Sequence, residues 1–94
     1  MNVMGSKVGT FTLTGEKTIV FDTADNVSKI SLLCITDTLA TLQGYTTVID
    51  GIASGVMEIP KNMPIYLEGV DGRPLDGLTL TVPSGSTVLL IVIR

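Results

Sequence analysis

The length, composition and charge of this chain exclude several classes of protein. It has 94 residues, of which 45% are hydrophobic and 16% are charged, and its net charge is -3. The six basic residues are scattered, so a nucleic-acid-binding surface is not expected, and no apolar run reaches the roughly 20 residues that a membrane-spanning helix needs.

The first part of the chain has the composition of β-strands. Residues 1–7 precede any strand pattern, and we interpret them as an N-terminal arm. Thirteen threonines and short runs of valine and isoleucine then favour strands over helices. Val8–Thr14 alternates between threonine and apolar side chains, and Gly15–Glu16 offers a tight turn into Lys17–Asp22. This pattern predicts a first β-hairpin.

A turn at Thr23–Asn26 separates this unit from a strand at Lys29–Thr36. Alternate residues of the strand form one apolar face, made of Ile30, Leu32 and Cys34. The other face carries Leu33 and Ile35, so we expect both faces of this strand to be covered.

The middle of the chain predicts further short strands. Leu39–Ile49 reads as a strand, with a short helix over Thr36–Gln43 as the alternative. Asp50–Gly51 then predicts a turn into a strand at Ile52–Ile59, and Pro64–Leu67 predicts another short strand.

The last part of the chain predicts a second hairpin. Val70–Gly77 is rich in turn residues and leads into a strand at Leu78–Val82. Pro83–Ser86 has the composition of a turn, and Thr87–Ile93 follows as the final strand.

Together these elements predict an all-β fold. We expect residues 8–94 to form a small β-sandwich or jelly-roll-like barrel of about seven or eight short antiparallel strands, with one short helix as a possible addition. A domain of this size buries only roughly two-thirds of the surface that its unfolded chain exposes. The apolar surplus is therefore expected at contacts between subunits.

The final strand is the main candidate for such a contact, because its side chains are apolar on both faces. It is either a central strand that is covered within one subunit or a strand whose outer face meets a neighbour, and sequence alone does not say which alternate residues point outward. The candidate interface comprises this strand and apolar residues of the arm: Val88, Leu89, Leu90, Ile91, Val92, Ile93, Met1, Val3 and Met4.

Catalytic and metal-binding chemistry has little support in the sequence. The chain has no histidine and a single cysteine, Cys34, whose apolar neighbours indicate core packing. Asp22, Asp25 and Asn26 supply oxygen ligands, but they lack the spacing of a calcium loop and are more typical of a turn. We therefore predict no catalytic residue, no metal ligand and no cofactor.

One motif nevertheless resembles an enzyme signature. Val20–Ala24 is similar to the apolar-apolar-Asp-Thr-Gly signature of aspartic proteases, and the viral retropepsin-like members are homodimers. The resemblance implies a protease in which Asp22 of two subunits activates water. Ala24 stands where the family has glycine, and Pro74 follows the Gly72-Arg73 pair.

The overall pattern resembles small bacteriophage virion proteins. The similarity lies in the threonine-rich first hairpin, the Ile-Pro approach at Ile59–Ile65, and the last hairpin with its Pro-Ser-Gly-Ser turn. It implies a non-enzymatic structural subunit, such as a capsid decoration or cement protein, that forms homo-oligomers, with a trimer favoured.

The same resemblance implies where the chain acts and with what. Other virion proteins, such as the major capsid protein, are the further partners that it implies, with no nucleic acid or membrane. Residues 1–7 lack the apolar run of a signal peptide, so we expect assembly in the host cytoplasm and a final location in the virion. A small binding or adaptor module remains the alternative besides the protease.

Overall fold

The computed structural model describes residues 8–44, 48–50, 52–53 and 55–94. Within these residues the chain forms ten β-strands and two 3₁₀ turns, the latter at Thr23–Asp25 and Val70–Gly72. The strands are β1 (Val8–Thr14), β2 (Lys17–Phe21), β3 (Lys29–Cys34), β4 (Thr41–Gln43), β5 (Val48–Ile49), β6 (Ile52–Ala53), β7 (Met57–Glu58), β8 (Ile65–Glu68), β9 (Leu78–Val82) and β10 (Thr87–Ile93).

Eight of the strands form two four-stranded antiparallel sheets. Sheet A has the order β1-β10-β3-β8, and sheet B has the order β2-β9-β4-β7. The inward side chains of both sheets meet in one apolar core. The predicted all-β, sandwich-like fold of seven or eight short strands is therefore confirmed.

The hairpins predicted around Gly15–Glu16 and around Pro83–Ser86 are both wrong. β1 pairs with β10 in sheet A, whereas β2 pairs with β9 in sheet B. The connections at Gly15–Glu16 and Pro83–Ser86 therefore each carry the chain from one sheet to the other. They lie side by side, since the amide of Gly15 donates a hydrogen bond to the carbonyl oxygen of Ser86 at 3.0 Å.

The turn residues suit this crossing because they adopt left-handed backbone conformations. Gly15 has φ 44°, Glu16 has φ 54° and Gly85 has φ 85°. Alternating side chains bury one face of a strand whether it pairs with its sequence neighbour or lies opposite it in a second sheet. The pattern was therefore correct for burial and did not determine pairing.

A turn is confirmed at Asp50, the first residue of the predicted turn, whereas Gly51 lies outside the described residues. β5 and β6 pair with each other, with Ile49 opposite Ile52, and Asp50 has φ 54°. The alternative helix over Thr36–Gln43 is wrong, because Thr41–Gln43 is strand β4 and pairs with both β9 and β7.

The core confirms one face of β3 and corrects the other. Ile30, Leu32 and Cys34 are completely buried, as predicted. On the opposite face Leu33 is only half-buried and Ile35 is 41% exposed, so the expectation that both faces are covered fails within this chain. Only one face of each sheet in the sandwich packs against the other sheet.

Candidate functional site: the outer face of sheet A

The structure identifies which side chains of the last strand point outward. β10 lies in the interior of sheet A, between β1 and β3. Val88 and Leu90 are buried in the core, and Val92 packs against that core. Including these three residues in a subunit interface was therefore wrong, because their side chains already have partners within the sandwich.

The other three residues of the strand lie on the outer face of the sheet. Leu89 is 37% exposed and Ile91 is 40% exposed, and Ile93 is partly buried. These values are high for aliphatic side chains in the middle of a central strand, because strands on both sides already shield them. The three arm residues of the candidate interface, Met1, Val3 and Met4, lie outside the described residues.

Neighbouring strands extend the apolar surface on this side. Leu89 lies opposite Leu33 of β3, and Ser31, which lies opposite Ile91, pairs in turn with Tyr66 of β8. We call the resulting set of side chains the outer stripe. It consists of Leu33, Tyr66, Leu89, Ile91 and Ile93.

The sequence pattern did not identify Tyr66 as part of this surface, and it predicted that the face with Leu33 is covered. Tyr66 is 57% exposed on a short strand whose partner is β3. Its outward position could have been inferred from the alternation of Ile65–Glu68, but its place beside Ser31 depends on pairing with a strand that is distant in the sequence. That pairing is visible only in the folded sheet.

Uncharged residues surround most of the outer stripe. On one side it is bordered by the outward threonines of β1, among them Thr10 opposite Ile91 and Thr12 opposite Leu89. The only charged side chains on the outward positions of the four strands are Lys29 and Glu68, which face each other at one end. A surface with an apolar centre and few charges has the composition of the central part of a protein–protein interface.

An open groove runs along the border between β1 and β10. Its volume is about 280 Å³, and its lining includes Thr10, Thr12, Leu89 and Ile91. The groove would allow side chains of a partner to interlock with the stripe rather than merely rest on it.

The single cysteine is a core residue. Cys34 is completely buried, and its sulfur lies 3.8 Å from the hydroxyl oxygen of Ser86, which is also completely buried. Burial raises the pKa of the Cys34 thiol, but hydrogen bonds with the backbone of Thr36 and Ala40 and with the hydroxyls of Thr36 and Ser86 bring the pKa below its ordinary value. The predicted packing role is confirmed by this burial.

The polar groups around Cys34 tie the connection at Pro83–Ser86 to the end of β3. The amide of Thr87 donates a hydrogen bond to the Thr36 hydroxyl at 2.9 Å, and that hydroxyl donates to the carbonyl oxygen of Thr38 at 3.0 Å. These hydrogen bonds satisfy polar groups at the end of the apolar core, where burial without a partner would lower the free energy of unfolding.

Asp22 caps a local turn, as the sequence predicted for Thr23–Asn26. Its carboxylate accepts a hydrogen bond from the amide of Ala24 at 2.9 Å, and the Asp25 carboxylate accepts one from the amide of Asp22 at 3.1 Å. Asn26 ends the turn with φ 54°. Both carboxylates are exposed and satisfy backbone groups of this turn, which is a structural task.

One salt bridge joins the loop after β3 to the loop before β8. The ammonium group of Lys61 donates to the Asp37 carboxylate at 2.8 Å, and this hydrogen bond lowers the pKa of Asp37. Both side chains are well exposed, so the ion pair contributes little to stability.

The described part of the chain contains neither a cluster of metal-binding side chains nor a membrane-spanning helix. There, no three side chains of the His, Cys, Asp or Glu type come together as metal ligands would. The same residues contain no helix of the length and apolar character required to cross a bilayer.

Comparison with known proteins adds no relative to this description. No protein-family model matches the chain, and no curated protein or solved structure shows significant similarity to it.

Proposed function

We propose that this chain is a non-enzymatic structural subunit of a viral particle of the bacteriophage type, such as a capsid decoration or cement protein, and that it assembles through the outer stripe. The observation that carries the proposal is the exposure of Leu89 and Ile91 in the centre of a four-stranded sheet. A solitary sandwich gains nothing from aliphatic side chains there, whereas a subunit gains a contact.

The physical basis of the contact is the removal of apolar surface from water, which contributes about 25 cal/mol per Å². A stable interface buries about 800 Å² on each partner. The outer stripe, its threonine border and the adjoining groove together span the four strands of sheet A, so they provide one continuous surface for such an interface.

The partner that this surface favours is another copy of the chain, and we propose a homo-oligomer, with a trimer favoured. Other virion proteins, such as a major capsid protein, are the second class of partner in the proposal. Assembly would take place in the host cytoplasm, and the mature location would be the virion.

Analytical ultracentrifugation of matched variants tests the role of the stripe. We expect the wild-type chain to sediment as a discrete oligomer at micromolar concentration, and Ile91→Lys to sediment as a folded species no larger than a dimer, because a charge at the centre of the stripe must be desolvated before that contact can form. Thr81→Lys is the control, since Thr81 is an exposed residue on the outer side of sheet B.

Two outcomes of this experiment contradict the proposal. A wild-type chain that stays monomeric at concentrations up to roughly 100 μM would favour the binding or adaptor module instead, since even weak complexes form in that range. An oligomer that survives in Ile91→Lys but dissociates in Thr81→Lys would place the contact on the other sheet.

The viral part of the proposal needs a separate test. Purified particles that encode this chain should contain it in a copy number that is stoichiometric with the major shell protein. The protease alternative predicts peptide cleavage at acidic pH that disappears in Asp22→Asn, and such cleavage would overturn the non-enzymatic role. The capping geometry of Asp22 supports the structural alternative for this residue.

A further inference from the structure

The first strand of sheet A has one unpaired edge in the described structure. β1 pairs with β10 on one side and ends the sheet on the other. It is seven residues long and is paired with β10 along its whole length, from Val8 to Thr14. Its outer edge therefore presents a long row of backbone amide and carbonyl groups.

The other three edges of sheets A and B carry charges or are very short. β2 begins with Lys17, β7 has only two residues and includes Glu58, and β8 ends with Glu68. Charges and short strands are the usual means by which proteins prevent association at an edge. β1, whose sequence is VGTFTLT, has neither a charge nor a proline.

The side chain of Phe11 is the second unusual feature of this edge. Phe11 lies opposite Leu90, so it belongs to the inward face of sheet A, yet it is 51% exposed. Its ring lies over Gly9, about 3.0 Å from the point that a Cβ atom of Gly9 would occupy. An inward-facing aromatic ring is thus left partly uncovered, because none of the described strands lies beyond β1.

A cleft opens between the two sheets next to this ring. It has a volume of about 230 Å³, and its mainly apolar lining joins Phe11 and Leu90 of sheet A to Ile19 and Phe21 of sheet B. Asp25 and Arg94 also contribute to the lining. A further strand placed beside β1 would extend sheet A over this cleft, and its inward side chains would cover both Phe11 and the opening.

We infer that β1 pairs antiparallel with β1 of a second copy, about a two-fold axis through Phe11. In this register Phe11 faces Phe11 of the partner, Thr10 faces Thr12, and Gly9 faces Leu13. Threonine pairs then lie on the outer face and apolar pairs on the inner face, which is a favourable arrangement on both sides of a sheet.

Charge is what selects a second copy as the occupant, and β1 as the edge. A two-fold contact uses the same edge strand twice, and β1 is the one edge of sheets A and B that offers seven residues without a charge. Pairing through the other edges would place Lys17, Glu58 or Glu68 in the contact, where the charge must be desolvated. The β1 edge brings together no charges at all. The contact uses different residues from the outer stripe, and it stands whether or not the proposed function is correct.

A charge-swap experiment tests this register directly. In the full chain carrying Ile91→Lys, which removes the contact through the outer stripe, we expect a dimer through β1 to remain. Adding Phe11→Lys or Phe11→Glu should weaken that dimer at least about tenfold, because like charges then face each other at the axis. An equimolar mixture of the two Phe11 variants should restore the dimer, since opposite charges then meet.

Matched measurements separate loss of pairing from loss of folding. Val56→Lys is the control, because Val56 is similarly exposed, at 58%, and lies just before β7 at the far side of sheet B. Amide hydrogen exchange should show that residues of β1 lose protection in either Phe11 variant and regain it in the mixture. Circular dichroism should show an unchanged β content throughout.

Several outcomes would overturn the inference. They are a monomeric chain in the Ile91→Lys background, a dimer that persists in Phe11→Lys, or folded Phe11 variants whose mixture stays monomeric. The experiment also distinguishes the case in which the outer stripe is not an interface. In that case Ile91→Lys forms the same oligomer as the wild type, and the Phe11 variants dissociate it.

Discussion

The outer faces of the two sheets differ although their inner faces are alike. Both inner faces are built of aliphatic and aromatic residues that share one core. On the outside, sheet A carries the outer stripe, whereas most outward positions of sheet B are polar. These positions are Thr18, Val20, Thr41, Gln43, Glu58, Thr79 and Thr81.

The difference teaches how one strand pattern serves two purposes. Threonine has a high β propensity and a hydroxyl group that tolerates water, so it suits an outer face that stays in solvent. Isoleucine and tyrosine share this high propensity for strands, but they and leucine leave apolar surface uncovered on an outer face. Sheet A thus has the composition of a surface that meets a partner, and sheet B has that of a surface that meets water.

The largest expected effect concerns the core that both sheets share. Leu80→Ala should lower the free energy of unfolding by about 2–5 kcal/mol, because Leu80 is completely buried on the inner face of β9. Thr81→Ala, one position along on the outer face, should change it by less than about 1 kcal/mol. Urea denaturation of the two variants measures the difference, and equal losses would contradict the assignment of the faces.

The next effect tests whether the outer stripe can be made to resemble sheet B. Ile91→Thr should weaken self-association at least about tenfold, since it removes apolar surface from the centre of the stripe. The unfolding free energy of the monomer should change by only about 1 kcal/mol, because threonine suits a strand. Sedimentation equilibrium and urea denaturation measure the two quantities, and unchanged association would argue against the stripe.

The reverse change should make sheet B resemble sheet A. The double variant Thr79→Leu, Thr81→Ile places two aliphatic residues in alternate outward positions of the central strand β9. We expect new concentration-dependent association with little change in β content, as light scattering and circular dichroism would show. A variant that sediments like the wild type would show that the residue types alone do not explain the difference between the faces.

The smallest effect is expected away from both faces. The Lys61 ion pair lowers the pKa of Asp37, so its contribution is present above the unfolded pKa of Asp37 and is lost as the pH falls through the folded pKa. Because both side chains are exposed, Asp37→Asn should leave the thermal midpoint nearly unchanged at neutral pH. If Asp37→Asn clearly lowered the thermal midpoint at neutral pH but not in acid, the ion pair would contribute more to stability than its exposure predicts.

Local patterns predicted the burial of individual strands well. Alternation identified the inner face of β3, and turn residues identified the capped turn after Asp22 and the hairpin at Asp50. The all-β, sandwich-like fold followed from the same signals, because strand composition and turn spacing are properties of short segments.

Other features depended on contacts between distant parts of the chain. Only the folded molecule shows that β1 pairs with β10 and β2 with β9, and that Leu89 and Ile91, rather than Val88 and Leu90, point outward. The sequence by itself determined that the chain forms short strands with apolar faces, since a period of two residues is a local property. The tertiary structure decided which strands are neighbours and which apolar face lacks a cover, because hydrogen bonding between strands is not encoded in that period.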